Sequence, residues 1–288
     1  MLFNRKSNAE LTAKQVADRF MIQGGIYIFV VIMSSIVLIL NSVLTLLTGI
    51  NHARNRVMIL VMFLYLILML IHRRTLYSRF VSVMLVYCDL PKFMEAFMRV
   101  AHNKLFEEDI RYIRSFYSVA YMYSADFKSA ESVLKAEIDQ SKKKWIKINA
   151  KANLAALYLM NGQKDEFYKL YNEVMMEYNF GKAPKYMERM RTGLEARWKI
   201  AEGDYDGAAE MIKKSIQQSE RARSTFNCVT NYIQLGNIEL ARGNEMEAAV
   251  AYGYAIQHAP QMAYVQKYIP KYEELKSKFA QNAQAANA

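Results

Sequence analysis

The chain reads as all-α: a hairpin of two apolar helices at the N-terminus, followed by a run of about five helical pairs. Three observations predict this. Only 11 Gly and 4 Pro punctuate 288 residues, while Met, Leu, Ala and Lys abound. That composition favours helix and leaves few turn signals for an all-β fold. Near its start the chain carries two long apolar segments, and beyond them turn-like residues recur at a nearly constant spacing.

Residues 1–23 form a lead-in, read as cytosolic. Ser7 to Glu10, SNAE, fits a capping box. Leu11, Phe20 and Met21 would then rest on lipid as part of a membrane-surface helix. Gly24 to Ile50 follows, 27 residues without a charge. As a helix it is about 40 Å long, enough to cross the hydrocarbon core with some tilt. After NHARNR comes a second span, Val57 to His72, of 16 residues. It is short for a span, so flanking Arg side chains would snorkel; a buried core helix is the alternative.

The short connection makes spans 24–50 and 57–72 an antiparallel hairpin, a 24–72 transmembrane domain. Arg5, Lys6, Lys14 and Arg19 precede it and Arg73, Arg74 and Arg79 follow it, whereas the connection holds only Arg54 and Arg56. The positive-inside rule therefore places both termini in the cytoplasm. A cleaved signal peptide does not fit, because the run is too long and no A-x-A-like site follows. Ser34, Asn41, Thr45 and Thr48 step by seven, four and three residues and so share one face of the first span. This polar stripe suits packing against the second span or against another copy, leaving room for a homo-oligomer. No ionisable residue lies inside either span, which argues against a transport path.

From residue 73 onward the turn slots fall at Cys88, Ala125, Gly162, Gly203 and Gly243, spaced 37, 37, 41 and 40 residues apart. Five residues past each turn stand Phe93, Ala130, Phe167, Ala208 and Ala248, and four further on Phe97, Leu134, Tyr171, Ile212 and Tyr252. Seven before each turn stand Val81, Ser118, Ala155, Ala196 and Gly236, mostly small. Small residues let two helices approach, and large ones fill the space between successive pairs. One pair cannot bury its apolar face alone, so pairs must stack. EYNFGKAPK, Glu177 to Lys185, is the clearest linker. AYVQKYIPKYEELKSKFA reads as a capping helix within 261–280, and the low-complexity tail 281–288 as disordered.

The last pair carries Leu235, Gly236, Ala248, Tyr252, Ala255 and Pro260 at the offsets of the tetratricopeptide repeat, with Glu239 in place of an aromatic. Residues 73–260 thus resemble a degenerate array of that family. The resemblance implies a right-handed α-solenoid of about five TPR-like pairs, and a scaffold that holds a protein or peptide partner in the groove of its first helices. Projected onto this chain, the groove slots give Arg79, Tyr112, Phe116, Tyr123, Asn149, Asn153, Arg197, Gln234 and Asn237, with Ser78, Ser82, Val119 and Ala156 beside them. Arg79, Asn153, Arg197 and Asn237 have the residue types of a carboxylate clamp. The paired Lys and Asn that clamp-bearing members carry on one helix are missing, so no clamp is read here. Ordinary solenoid surface is the alternative for every one of these positions.

The net charge is +11; residues 1–23 carry +2 and the hairpin +2, which leaves +7 on residues 73–288. A basic cytosolic domain is attracted to an anionic leaflet. Lys142, Lys143, Lys144 and Lys147, with Lys151 beyond them, form the densest cluster. They suit contact with the lipid bilayer or an acidic partner, or simply a solvated junction. No nucleic-acid module is visible. No P-loop, nucleophile elbow, H-E-x-x-H or dinucleotide loop is present, and Cys88, Cys228 and the four histidines have no metal-ligand spacing. The expectation is a membrane-anchored, non-enzymatic adaptor of a bacterial plasma membrane, without cofactor, metal, nucleic acid or small-molecule substrate. A structural or assembly subunit of a membrane complex is the alternative.

Overall fold

The computed structural model describes residues 7–48, 52–181, 183–184 and 187–286. These form thirteen α-helices and one 3-10 helix, and no strand occurs among the described residues. The chain divides into two compact units, residues 1–83 with 92–113, and residues 84–91 with 114–288.

In the first unit, α1 (Ala13–Thr48) and α2 (His52–Leu85) are single helices far longer than the apolar segments they contain. Both are long and apolar enough to cross a membrane. Their burial changes at the boundaries the sequence suggests. Val16, Ala17 and Phe20 of α1 and Leu76, Phe80 and Val81 of α2 are buried, whereas Ile26, Phe29, Ile39, Leu64 and Leu68 turn outward. Gly24 marks the transition, because a Cβ there would meet the Phe106 ring at 2.5 Å. Two of the three residues expected on lipid, Leu11 and Phe20, face the protein interior instead. Phe20 packs on Phe80 and Phe106 with ring centroids 4.8 and 5.7 Å away. The capping box also lies further on than SNAE. Gln15 N donates to Thr12 Oγ1 (3.3 Å) and Thr12 N to Gln15 Oε1 (3.0 Å), which starts α1 at Ala13. Asn8 pins the preceding segment to α2 by donating to the Arg79 carbonyl at 2.5 Å.

α3 (Leu90–Ala101) and the 3-10 helix Lys104–Phe106 lead into α4 (Glu107–Tyr123). The second unit continues with α5 (Phe127–Gln140), α6 (Lys144–Met160), α7 (Lys164–Phe180), α8 (Glu188–Glu202), α9 (Tyr205–Arg221), α10 (Thr225–Ala241) and α11 (Glu245–His258). The short α12 (Ala263–Gln266) and α13 (Ile269–Ala286) close it. Consecutive helices pack on one another from α5 through α11, and α6 also packs on α8. The linker expected over Glu177–Lys185 is shorter, because α7 runs to Phe180. Where the sequence suggests a disordered tail from residue 281, α13 continues through Ala286, and residues 287–288 lie outside the described residues.

All five turn slots lie in left-handed backbone: Cys88 (φ 53°), Ala125 (64°), Gly162 (78°), Gly203 (81°) and Gly243 (80°). Four of them close the preceding helix in one way. At Gly203, for instance, Gly203 N donates to Ile200 O (3.2 Å) and Asp204 N to Lys199 O (2.9 Å). That pair of bonds satisfies carbonyls that a helix end otherwise leaves without partners. The next residue then starts the following helix, as when Asp126 and Asp204 cap Ser129 N and Gly207 N.

The slots seven residues before and five after each turn are buried, whereas Tyr171, nine after Gly162, is only half-buried. Phe93, Ala130, Phe167, Ala208 and Ala248 have no exposed surface. Gly236 sits under Tyr252, where a Cβ would lie 2.5 Å from the ring. Glu239, in the slot of an aromatic, is 2% exposed. It accepts from Arg242 and Asn244, both at 2.8 Å, and pairs with Lys213 of α9 at 3.3 Å. Burial alone would raise its pKa, but the bonds from Asn244 and Lys213 outweigh it and the net shift is downward.

Two glycine substitutions separate backbone strain from crowding. At Gly203 the space around a Cβ is open, so Gly203→Ala meets only the left-handed penalty of about 1–2 kcal/mol. Gly236→Ala drives a methyl into Tyr252 and adds an overpacking cost of about 1–3 kcal/mol. In detergent-solubilised full-length chain, denaturant titration should show Gly236→Ala as less stable than wild type, with Gly236→Ala/Tyr252→Leu recovering part of the loss. Gly203→Ala should be insensitive to Tyr252→Leu.

Candidate functional site

In the second unit, residues of α4, α6, α8 and α10 come close to one another. Tyr123, in the last turn of α4, packs edge-on against Phe226 of α10 (centroids 5.0 Å) and Tyr264 of α12 (4.9 Å). Two partly open chambers adjoin these rings. One, of about 310 Å³, is largely apolar, with Leu159, Met160, Ile200 and Tyr268 in its walls. The other, of about 240 Å³, is the more polar of the two, with Asn153, Gln218, Asn227, Asn231 and Arg189 beside Val119, Met122 and Phe226 in its lining. Tyr123, Ala156, Arg197 and Gln234 line both, so the chambers share a wall.

The charge of that wall is one-sided. Arg197 and Arg189 of α8 reach the polar chamber and Lys267 the apolar one, and neither lining contains Asp or Glu among the described residues. Arg197 Nη1 donates to the carbonyl of Gly193 at 2.9 Å. A Cβ on residue 193 would stand 3.3 Å from that nitrogen, so the glycine leaves room for the guanidinium. Elsewhere on α8, Arg191 bonds both Glu188 and Glu195. Its bond to Glu188, aided by Tyr178, holds that carboxyl down at about 2. Glu188 and Glu195 are thus satisfied away from the chambers. Asn237 is fixed between two tyrosines, accepting from Tyr252 Oη (2.7 Å) and donating to Tyr268 Oη (3.2 Å).

Five residues of the projected groove come together here: Tyr123, Asn153, Arg197, Gln234 and Asn237, with Val119 and Ala156 beside them. Others do not join them. Arg79 belongs to the first unit, and its carbonyl accepts from Asn8 and from Ser82 Oγ. Phe116 and Asn149 are half-buried but line neither chamber. The side chains of Tyr112 and Thr48 lie outside the described residues. Sequence reasoning missed Arg189, Gln218, Asn227 and Asn231. The available signal was Arg189-x-x-x-Gly193-x-x-x-Arg197, which spaces two cations and a gap along neighbouring turns of one helix.

Of the lysine cluster, Lys142, Lys143 and Lys144 are exposed, Lys147 is half-exposed, and Lys144 lies over the Trp145 ring at 5.2 Å. Lys151 is not part of that surface. It bonds Glu177 (2.7 Å) and Glu173 (3.2 Å), tying α6 to α7. In the first span, Ser34, Asn41 and Thr45 lie on the half-shielded face of α1, and Met62, Tyr65 and Met69 form the corresponding face of α2. Thr45 Oγ1 donates back to the Asn41 carbonyl at 2.8 Å. Cys88 and Cys228 are both free and buried. Burial, with Cys228 nearby, pushes the Cys88 thiol up to about 12, so it stays protonated at neutral pH.

Glu137 of α5 is 5% exposed, and its Oε2 has no hydrogen-bond partner. Burial pushes its pKa up to about 7 against the opposing pull of Arg114. The folded chain therefore holds this proton more tightly than the unfolded chain does. Its stabilising contribution is complete below the ordinary carboxylate pKa and is lost as pH rises through 7. Glu137→Gln removes the titration. The stability of this variant relative to wild type should rise by up to about 3 kcal/mol between pH 5 and pH 8, at ~1.36 kcal/mol per pH unit. Thermal unfolding at both pH values checks it; equal offsets would show that the carboxyl is solvated. No protein-family model matches the chain, and no curated protein matches it.

Proposed function

We propose that the chain is a membrane-anchored adaptor that holds a protein or peptide partner at the cytoplasmic face of a membrane, the bacterial plasma membrane in this reading. The α1–α2 hairpin is the anchor. The following helical pairs are tetratricopeptide-like repeats stacked as a right-handed α-solenoid, and the inner face of their first helices is the binding surface. One observation supports this most. Five residues that the repeat register projects onto a groove, from α4, α6, α8 and α10, line two adjoining chambers. Because Tyr123 meets Phe226 and Tyr264 across that face, the partner inserts side chains or a turn rather than lying along it as a strand. Anchoring raises the partner's effective concentration at the membrane without any further contact.

A second reading, a structural subunit of a membrane complex, draws on the exposed apolar pairs Met176–Phe180 of α7 and Met246–Val250 of α11. Phe180 is 89% exposed, and such pairs favour a covering protein surface. Photocrosslinking in native membranes separates the two readings. The adaptor predicts a discrete adduct from a probe at Asn153 and none from probes at Asn41, Phe180 or Val250. Silence at Asn153 with adducts from any of those three would replace the adaptor with the subunit.

A further inference from the structure

We propose that the polar chamber is a binding site for a small organic oxyanion, a carboxylate or phosphate held by Arg197 and Arg189. This goes beyond the adaptor reading, since the ligand is a small molecule rather than a segment of protein.

The chamber is built for negative charge. Both Arg197, half-buried, and Arg189, exposed, line it. They stand eight residues apart on α8, with Gly193 midway leaving the cleft open between them. Arg197 spends one N–H on the Gly193 carbonyl and keeps the rest of its fork for a ligand. Arg189 has no hydrogen bond or ion pair among the described residues. A guanidinium partly removed from water without a counter-charge is unfavourable, and an oxyanion accepting two parallel N–H bonds relieves that cost.

The remaining walls fit the body of such a molecule. Asn153, Gln218 and Asn227 line the chamber, and their amides have no partner among the described residues. Each therefore has donors and an acceptor for hydroxyl or carbonyl groups. Asn231 is oriented by its bond to Ser215 Oγ at 3.0 Å. The volume of about 240 Å³ lies just under the ~300 Å³ at which pockets for drug-sized ligands begin, so the guest is smaller than a drug. An extended peptide would have to part Tyr123 from Phe226 and Tyr264, whereas a small anion leaves those rings in place.

The test is isothermal titration of the detergent-solubilised full-length chain at low ionic strength, with inorganic phosphate and citrate as separate probes. At least one should bind at one site per chain, and whichever binds more tightly identifies the oxyanion. Arg197→Gln and Arg189→Gln should each weaken it about tenfold or more, Arg197→Lys should weaken it less than Arg197→Gln, and the surface control Lys142→Gln should leave it unchanged. Arg189 is exposed, so its variant reports on binding even if Arg197→Gln unfolds the chain. Absence of binding by both probes would overturn the proposal. So would binding that survives Arg189→Gln but is lost in Lys142→Gln. No protein partner enters the titration, so its result is independent of the adaptor reading.

Discussion

Each helical pair of the second unit depends on one residue that reverses the chain in left-handed backbone. At Ala125, Gly162, Gly203 and Gly243 that conformation lets two successive N–H groups return to the carbonyls of the helix just ended, and the following residue begins the next helix. The reversal sets the phase of both helices. Seven residues before it a small side chain, such as Ser118, Ala155, Ala196 or Gly236, faces the partner helix. Five residues after it, a fully buried one faces back. A shift of one residue in either helix would rotate these positions by about 100° and expose them.

Much of this was legible from spacing, because left-handed turns and close helix contacts restrict residue type. Gly236 under Tyr252 is such a restriction, and so are the boundaries at Gly24 and His72, where charge and burial change together. What was not legible depended on side-chain detail or on distant parts of the chain. SNAE has the letters of a capping box, but Asn8 is drawn to the Arg79 carbonyl, so the cap passes to Thr12 and Gln15. Lys151 reads as one more surface cation until Glu173 and Glu177, a full helix away, neutralise it. Glu239 stands where an aromatic was expected, and its burial is made tolerable by bonds to Lys213, Arg242 and Asn244.

The candidate site was half legible for the same reason. Counting from the turn slots puts Tyr123, Asn153, Arg197, Gln234 and Asn237 among the projected positions, and these five line the two chambers. Register says nothing about which inward positions meet one another across the interior. It also omits second-helix residues such as Gln218 of α9. The sorting of charge on α8 needs three dimensions: Arg191 takes Glu188 and Glu195, and the arginines two residues before it and six after it line a chamber without acids.

The contacts of Tyr123 with Phe226 and Tyr264 join positions 103 and 141 residues apart in the chain. In a purely linear stack each pair touches only its neighbours, so folding can begin anywhere and ends can fray independently. Ring contacts between positions so far apart in sequence do not follow that pattern. Loss of α12 would remove support from α4, so truncation from the C-terminus should loosen the array near its beginning as well as at its end. Such long-range contacts raise contact order and slow folding. During synthesis the α4 end of the unit would complete its packing only after residue 264 has left the ribosome, when the apolar hairpin has long since emerged.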